Sequence, residues 1–248
     1  MNISVKLLSY PKGTLVTKYV EDNFLEDTKS GFLKFGTLSS YKAAENQTEA
    51  RMLDDLEGCR TLLVEEPIYG QTINLPNFKA EYSTFVGNKA SIAFIQKFEA
   101  LVLCLTTGAY DKKHHAAFVQ DGNQSVTNYV TFNLHKLYGA TAKLFATISD
   151  VPAFMIGDEI TYVASGKEES TTLSALHASV NTPGERELRD TIFKKPDRFS
   201  KEKEFRIAVH MTMRSKFENR NIFVKNYMLT SVAKLFQESV VAHGSFDA

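Results

Sequence analysis

The chain has 248 residues, of which 43% are hydrophobic and 23% charged, with 29 basic and 29 acidic side chains. This length and apolar fraction suit a globular protein with a sizeable core, and the even charge balance argues against a dedicated nucleic-acid-coating protein, which carries a large basic excess. Two cysteines make no disulfide framework, no run approaches the roughly 18 apolar residues of a spanning helix, and the opening MNISVKLLSYPKG lacks the parts of a signal peptide; the expectation is a cytoplasmic protein away from membranes.

Taken in chain order, Val16, Val20 and Phe24 recur at four-residue spacing with Glu21, Asp22, Glu26 and Asp27 on other faces, which predicts an amphipathic helix over 15–28, ended by Ser30-Gly31. Phe32 to Leu38 reads as a short strand or extended segment, and residues 40–58 as a long polar loop of the kind that often carries function. Residues 61–64 suggest a strand. Gly70 to Gly87 reads as turn-rich and aromatic. Ser91 to Phe94 and Leu101 to Leu105 read as strands, the second apolar throughout and so central to a sheet, with Cys104 a small core residue. A second polar loop, 108–124, holds Tyr110, His114 and His115.

Tyr129 to Leu134 alternates as a strand, 135–147 reads as a helix and Ile160 to Val163 as a strand. Thr182 and Glu185 have the spacing of a capping box for a helix carrying Leu188 and Ile192, closed by Pro196. Glu204 to Met211 alternates cleanly: Phe205, Ile207, Val209 and Met211 on one side, Glu204, Arg206, Ala208 and His210 on the other. A last strand near 221–225 leads to a helix near 230–239 with Val232, Leu235 and Phe236 on one face. Strands outnumber helices in irregular order, without repeats or linkers. The expected fold is α+β: one domain over 1–248 with a mostly antiparallel central sheet and flanking helices.

The phosphate-loop, dinucleotide-binding, zinc-protease and nucleophile-elbow motifs are all absent. His114 and His115 are adjacent, so they point apart and chelate poorly. Charge is uneven: residues 21–66 hold eleven acids and five bases, 185–220 seven acids and eleven bases. Either segment could steer a charged ligand, or both are solvated loops. Two constellations remain. In the first, Gly36 and Thr37 end a strand ahead of Ser39, Ser40 and Tyr41, then Glu45, Arg51, Asp54, Asp55 and Glu57. Glycine permits close approach to a ligand, and Arg51 could grip a phosphate; spacing alone favours a capped turn with surface charges. In the second, an extended 202–207 puts Glu202, Glu204 and Arg206 on one strand face, as an ion-pair ladder or a positioned catalytic carboxylate.

The run from Gly31 to Tyr41, with Glu45, Arg51 and Asp55-Leu-Glu-Gly58, resembles the opening of a set of uncharacterised bacterial and phage proteins. Phe193-Lys-Lys-Pro196 and Phe199 through Ile207 resemble that set's closing motif. More distantly, Phe35-Gly36-Thr37 and Glu202-Lys203-Glu204 resemble, in chain order, the glycine-threonine turn and late E-x-E of ADP-ribosyltransferases, with Phe35 where many of those enzymes have His. The resemblance implies NAD as substrate. Its nicotinamide would stack on Tyr41, its amide would be held near Gly36 and Thr37, and its pyrophosphate would meet Arg51, with Arg206 close by. Glu204 would stabilise an oxocarbenium-like transition state, and Glu202 would orient or deprotonate the acceptor. A toxin or phage-defence role follows, with a nucleic-acid or protein acceptor and a protein partner such as an antitoxin. Two other readings stand beside it. One is a Mg²⁺-dependent nuclease or phosphohydrolase using Asp54, Asp55, Glu57, Glu202 and Glu204. The other is a non-catalytic binding module of a phage–host conflict system.

Overall fold

The structure, a computed structural model, describes residues 3–38, 59–66, 78–86, 89–97, 100–120, 125–149, 153–164, 169–172, 185–211, 222–223 and 230–246. In chain order the first elements are β1 (Ile3–Val5), β2 (Leu15–Val20), α1 (Asp22–Lys29), β3 (Lys34–Thr37), β4 (Cys59–Glu66), β5 (Phe78–Val86), β6 (Lys89–Lys97) and β7 (Leu101–Thr107). There follow α2 (Lys112–Gln120), β8 (Asn128–Asn133), α3 (Leu134–Ile148), β9 (Ala153–Glu159), β10 (Thr161–Val163), β11 (Glu169–Thr171), α4 (Glu185–Ile192) and β12 (Lys194–Pro196). A 3-10 turn (Asp197–Glu202), β13 (Glu204–Met211), β14 (Ile222–Phe223), α5 (Thr230–Ser239) and β15 (Val240–Ser245) are the last of the described elements. The fold is α+β, with helices flanking a large, mostly antiparallel sheet. Among the described residues no helix is long and apolar enough to cross a membrane.

Contacts group the chain into two compact units: Met1–Asp54 with Glu99–Ile160 and Ser200–Ala248, and Asp55–Phe98 with Thr161–Phe199. The sheet of the first unit runs β1-β9-β13-β7-β2-β8-β15, with β3 also on β7 and β14 on β3. Only β1 with β9 is parallel among its described pairs. One face is the core: Val16, Leu103, Leu105, Phe132, Phe205, Ile207 and Val209 pack against Leu137, Leu144 and Phe145 of α3 and Val232 and Phe236 of α5. The phenyl rings of Phe35 and Phe145 meet edge to face at 5.3 Å. Gly157 lets the sheet approach α3, since a Cβ there would sit 2.9 Å from the Tyr138 ring. In the second unit a sheet runs β11-β4-β6-β5, β10 pairs β12 in parallel, and α4 buries Leu188 and Ile192.

Several sequence expectations change. Residues 15–20 form a strand and the helix begins only at Asp22. Four-residue spacing is also an even number, so Val16 and Val20 share a strand face as readily as a helix face, and Val16, Thr17, Tyr19 and Val20 favour the strand. The expected loop 108–124 contains α2, whose first amides are bound by the Asp111 carboxylate: it accepts from Lys113 N at 2.8 Å and His114 N at 3.3 Å. These bonds hold Asp111 below the usual carboxylate range. Within Gly70 to Gly87, residues 78–86 form a strand, rich in aromatic and β-branched types. On α5, Val232 and Phe236 are buried but Leu235 is exposed. Cys104 is half-buried on the face opposite the core, since it pairs with Arg206. The proposed cap at Thr182 lies outside the described residues, as does the whole of the polar loop 40–58.

Candidate functional site

The strand alternation expected for 204–211 is observed, and it places Glu204 and Arg206 on the non-core face of β13. Arg206 Nε donates to Glu204 Oε1 at 2.6 Å, with both side chains almost fully buried. β13 lies between β7 and β9, so this pair sits in the interior of the sheet. Register places Cys104 on one side of Arg206 and Asp158 on the other, and Thr106 beside Glu204. Asp158 accepts a 2.6 Å hydrogen bond from the Tyr10 hydroxyl, which in turn accepts from Glu159 N. Burial and Asp158 together push the Tyr10 phenol well above its usual range.

Glu202 does not join them. It belongs to the 3-10 turn, and Lys203 adopts φ 47°, a left-handed conformation that breaks the extended backbone between Glu202 and Glu204. The backbone is nonetheless anchored here, with Thr107 N donating to Lys203 O at 2.8 Å and Ile160 N to Glu204 O at 2.9 Å.

Gly36 and Thr37 lie on β3, where Gly36 pairs with Val102 and Thr37 with Leu101. Glu204 pairs with Thr106 across the other edge of β7. Four residues along β7 and two strand spacings across it separate Gly36 from Glu204 by roughly 16 Å between Cα atoms. Thr37 shares the face of Leu101, which is the core face, and is buried there. Gly36 and Thr37 therefore do not share one nicotinamide-sized pocket with Glu204. Tyr41, Arg51, Asp54, Asp55 and Glu57 lie outside the described residues. Among the described residues no cluster of three or more metal-ligating side chains occurs.

One charged residue absent from the sequence reading lies in the core phase of β2. β2 pairs with β7 at Val16–Thr107 and Thr17–Thr106, while β3 pairs with the same edge of β7 only from Val102 back to Leu101. Between those contacts the edge of β7 carries no strand partner among the described residues, and the Lys18 ammonium fills the gap, donating to Cys104 O at 3.2 Å. Burial pushes its pKa down, Cys104 and Glu204 oppose that fall, and Lys34 adds to it. The signal was a charged residue in the apolar phase of a strand, Val16-x-Lys18-x-Val20, and it is visible only once 15–20 is read as a strand.

Farther along the non-core face, opposite to Lys18, β2 and β8 meet α2 in an aromatic cluster. Tyr19 stacks on His115 at 4.5 Å, and Tyr110 stacks on Tyr129 at 3.6 Å. His115 is fully buried with Nε2 2.7 Å from Val126 O. A carbonyl only accepts, so Nε2 carries the proton and Nδ1 is a bare acceptor with no hydrogen-bond partner among the described residues. The pair expected as an exposed loop is thus partly core.

No protein-family model matches the chain, and no curated protein and no solved structure matches it.

Proposed function

We propose that the chain is an ADP-ribosyltransferase-like enzyme that uses NAD as substrate, with Glu204 as its catalytic carboxylate. The observation that carries this reading is the charge buried in the middle of the sheet. Glu204 and Arg206 occupy a central strand, where apolar side chains are the rule. A buried ion pair is often no better for stability than an apolar replacement of like volume, so its presence favours a task beyond folding. A carboxylate fixed by a guanidinium on a rigid strand is preorganised to face developing positive charge.

In the step proposed, the bond between C1′ of the ribose and the nicotinamide nitrogen breaks. Its electron pair leaves with nicotinamide, neutralising the pyridinium. Glu204 stabilises the cationic sugar until an acceptor oxygen or nitrogen bonds to C1′ and gives up its proton. Arg206 keeps Glu204 aimed through the bond from its Nε. This reading leaves Gly36 and Thr37 to the sheet, and Glu202 outside the step. The acceptor is a protein or nucleic-acid group, and a toxin or defence role in a bacterial cytoplasm with a partner such as an antitoxin fits that chemistry.

The 2.6 Å bond between two nearly buried side chains also favours a second reading, a non-catalytic binding module in which the pair is structural. The test is nicotinamide release from NAD, with labelled NAD offered to cell lysate, for wild type and Glu204→Gln. Release and label transfer by wild type, lost in a folded Glu204→Gln, support the enzyme. Equal silence from two folded proteins favours the binding module. Activity requiring Mg²⁺ and indifferent to NAD would favour a phosphohydrolase instead.

A further inference from the structure

We propose that α2 is an acid-released flap, docked on the sheet through the neutral imidazole of His115. The proposal is independent of NAD chemistry. Of the nine residues of α2, His115 alone is fully buried. Its ring stacks on Tyr19 of β2 at 4.5 Å, with Tyr110 edge-on at 5.8 Å and Phe246, just past the end of β15, at 4.8 Å. Nε2 donates to Val126 O at 2.7 Å, and Nδ1 is an enclosed acceptor with no hydrogen-bond partner among the described residues. A second proton has to go to Nδ1, where it becomes a buried charge facing aromatic rings. The side chain that α2 buries most deeply is thus of the one type whose ordinary charge change falls between pH 5 and 8.

Among the described residues no counter-charge meets that proton. β2 contributes the phenol of Tyr19. The segment before α2 contributes the phenol of Tyr110 and the exposed carboxylate of Asp111, which is bound to the Lys113 and His114 amides. From α2 itself come His114, stacked on the Tyr19 ring at 5.6 Å, and Lys112, whose ammonium lies 5.5 Å from the centre of the Phe246 ring. β8 contributes Tyr129, stacked on Tyr110, and the Asp22 carboxylate of α1 binds Thr127 and Asn128. Burial pushes the His115 imidazole down, and only the Val126 carbonyl opposes it. Below the ordinary histidine pKa of 6.5 a released His115 takes up a proton and a docked one does not. Each further pH unit therefore favours release about tenfold, until the docked pKa is reached. A helix of nine residues is marginal on its own in water, so release melts α2. It also uncovers Tyr19, on the sheet face where Thr17 leads through Thr106 to Glu204.

The experiment follows amide hydrogen exchange of the full chain by mass spectrometry from about pH 7.5 to about pH 5.5, each rate divided by that of an unstructured chain at the same pH. The expected result is that peptides covering α2 lose protection about tenfold over the last pH unit. Peptides of α3, β7 and β13 keep theirs, and circular dichroism stays native. In His115→Phe, whose ring fills the space and takes no proton, α2 keeps its protection across the range. In His243→Gln, which alters an exposed histidine of β15, the wild-type response remains. Protection of α2 that does not fall in wild type overturns the proposal, and so does a loss shared equally by α3 and β13. An undiminished loss in a folded His115→Phe overturns it too. The comparison of α2 with α3 in wild type decides even where His115→Phe does not fold.

Discussion

Replacing Arg206 by Met removes a guanidinium that is 2% exposed and holds Glu204 at 2.6 Å. The Glu204 carboxylate, itself 7% exposed, then stays inside the sheet without it. Breaking a buried pair from one side costs about 3–5 kcal/mol, mostly from the charge left behind. Glu204→Gln keeps the shape and an acceptor but leaves the Arg206 guanidinium buried without its counter-charge, so it falls in the same range. For a chain of this size 1 kcal/mol moves the melting temperature by roughly 2–4 °C. Arg206→Met and Glu204→Gln should therefore each melt roughly 6–20 °C below wild type. Removing both charges together, Glu204→Leu with Arg206→Met, should recover part of that loss, because neither member of the pair is left facing the other's absence. Thermal melts by far-ultraviolet circular dichroism at one pH and salt concentration give all four values. An Arg206→Met protein that melts with wild type, or a double variant that melts below both singles, refutes the reasoning. The same series fixes the temperature at which a Glu204→Gln activity assay reads chemistry rather than unfolding.

Gly31 adopts φ +81°, and a Cβ there would lie 2.4 Å from Phe236 Cβ on α5; Gly31→Ala should cost about 1–2 kcal/mol for the left-handed backbone and about 1–3 kcal/mol more for the overlap, read as a lowered urea midpoint. Asn133 caps α3 by accepting from Lys136 N at 3.1 Å, so Asn133→Ala should cost about 1 kcal/mol in the same assay. Burial holds the His115 imidazole below its ordinary pKa of 6.5, so the unfolded chain binds the proton first. Its contribution is whole above pH 6.5 and is lost as pH falls below that value toward the depressed native pKa; melting temperature against pH should drop there in wild type, and less steeply in His115→Phe.

How much of this was legible in the residues follows from which pattern had a competitor. β13 was read correctly because eight residues alternate without interruption and no helical period fits Phe205, Ile207 and Val209. The strand Leu101–Thr107 was recognisable as central because it is apolar on both faces, and it does pair with β13 on one side and with β2 and β3 on the other. β9 was missed because Gly157 interrupts its pattern, and the reason for that glycine, the Tyr138 ring against it, is tertiary. α2 was missed because its polar residues hide the anchoring done by Asp111 and the burial of His115 against Tyr19, which no local window contains.

The site divides along the same line. Glu204 and Arg206 are two residues apart on one strand, so their pairing could be read locally, and it is there at 2.6 Å. Adding Glu202 by the same parity failed because one left-handed residue, Lys203, resets the backbone. Joining Gly36 to Glu204 required knowing that β3 and β13 border opposite sides of β7 and are offset along it, and the sequence carries no term for that offset. Lys18 is the converse case. Its neighbours Cys104 and Glu204 are distant in the chain, but its oddity was local: a lysine between Val16 and Val20 on an alternating strand is a charge in an apolar phase. A stretch compatible with both periods should therefore be read in each before its polar residues are assigned to solvent. Read as a helix, Lys18 is an ordinary surface residue; read as a strand, it is a charge that the sheet must accommodate at a cost. Lys18 shares the phase of Val16 and Val20, whereas Glu204 and Arg206 lie on the non-core face, so the central sheet carries charge in both of its phases.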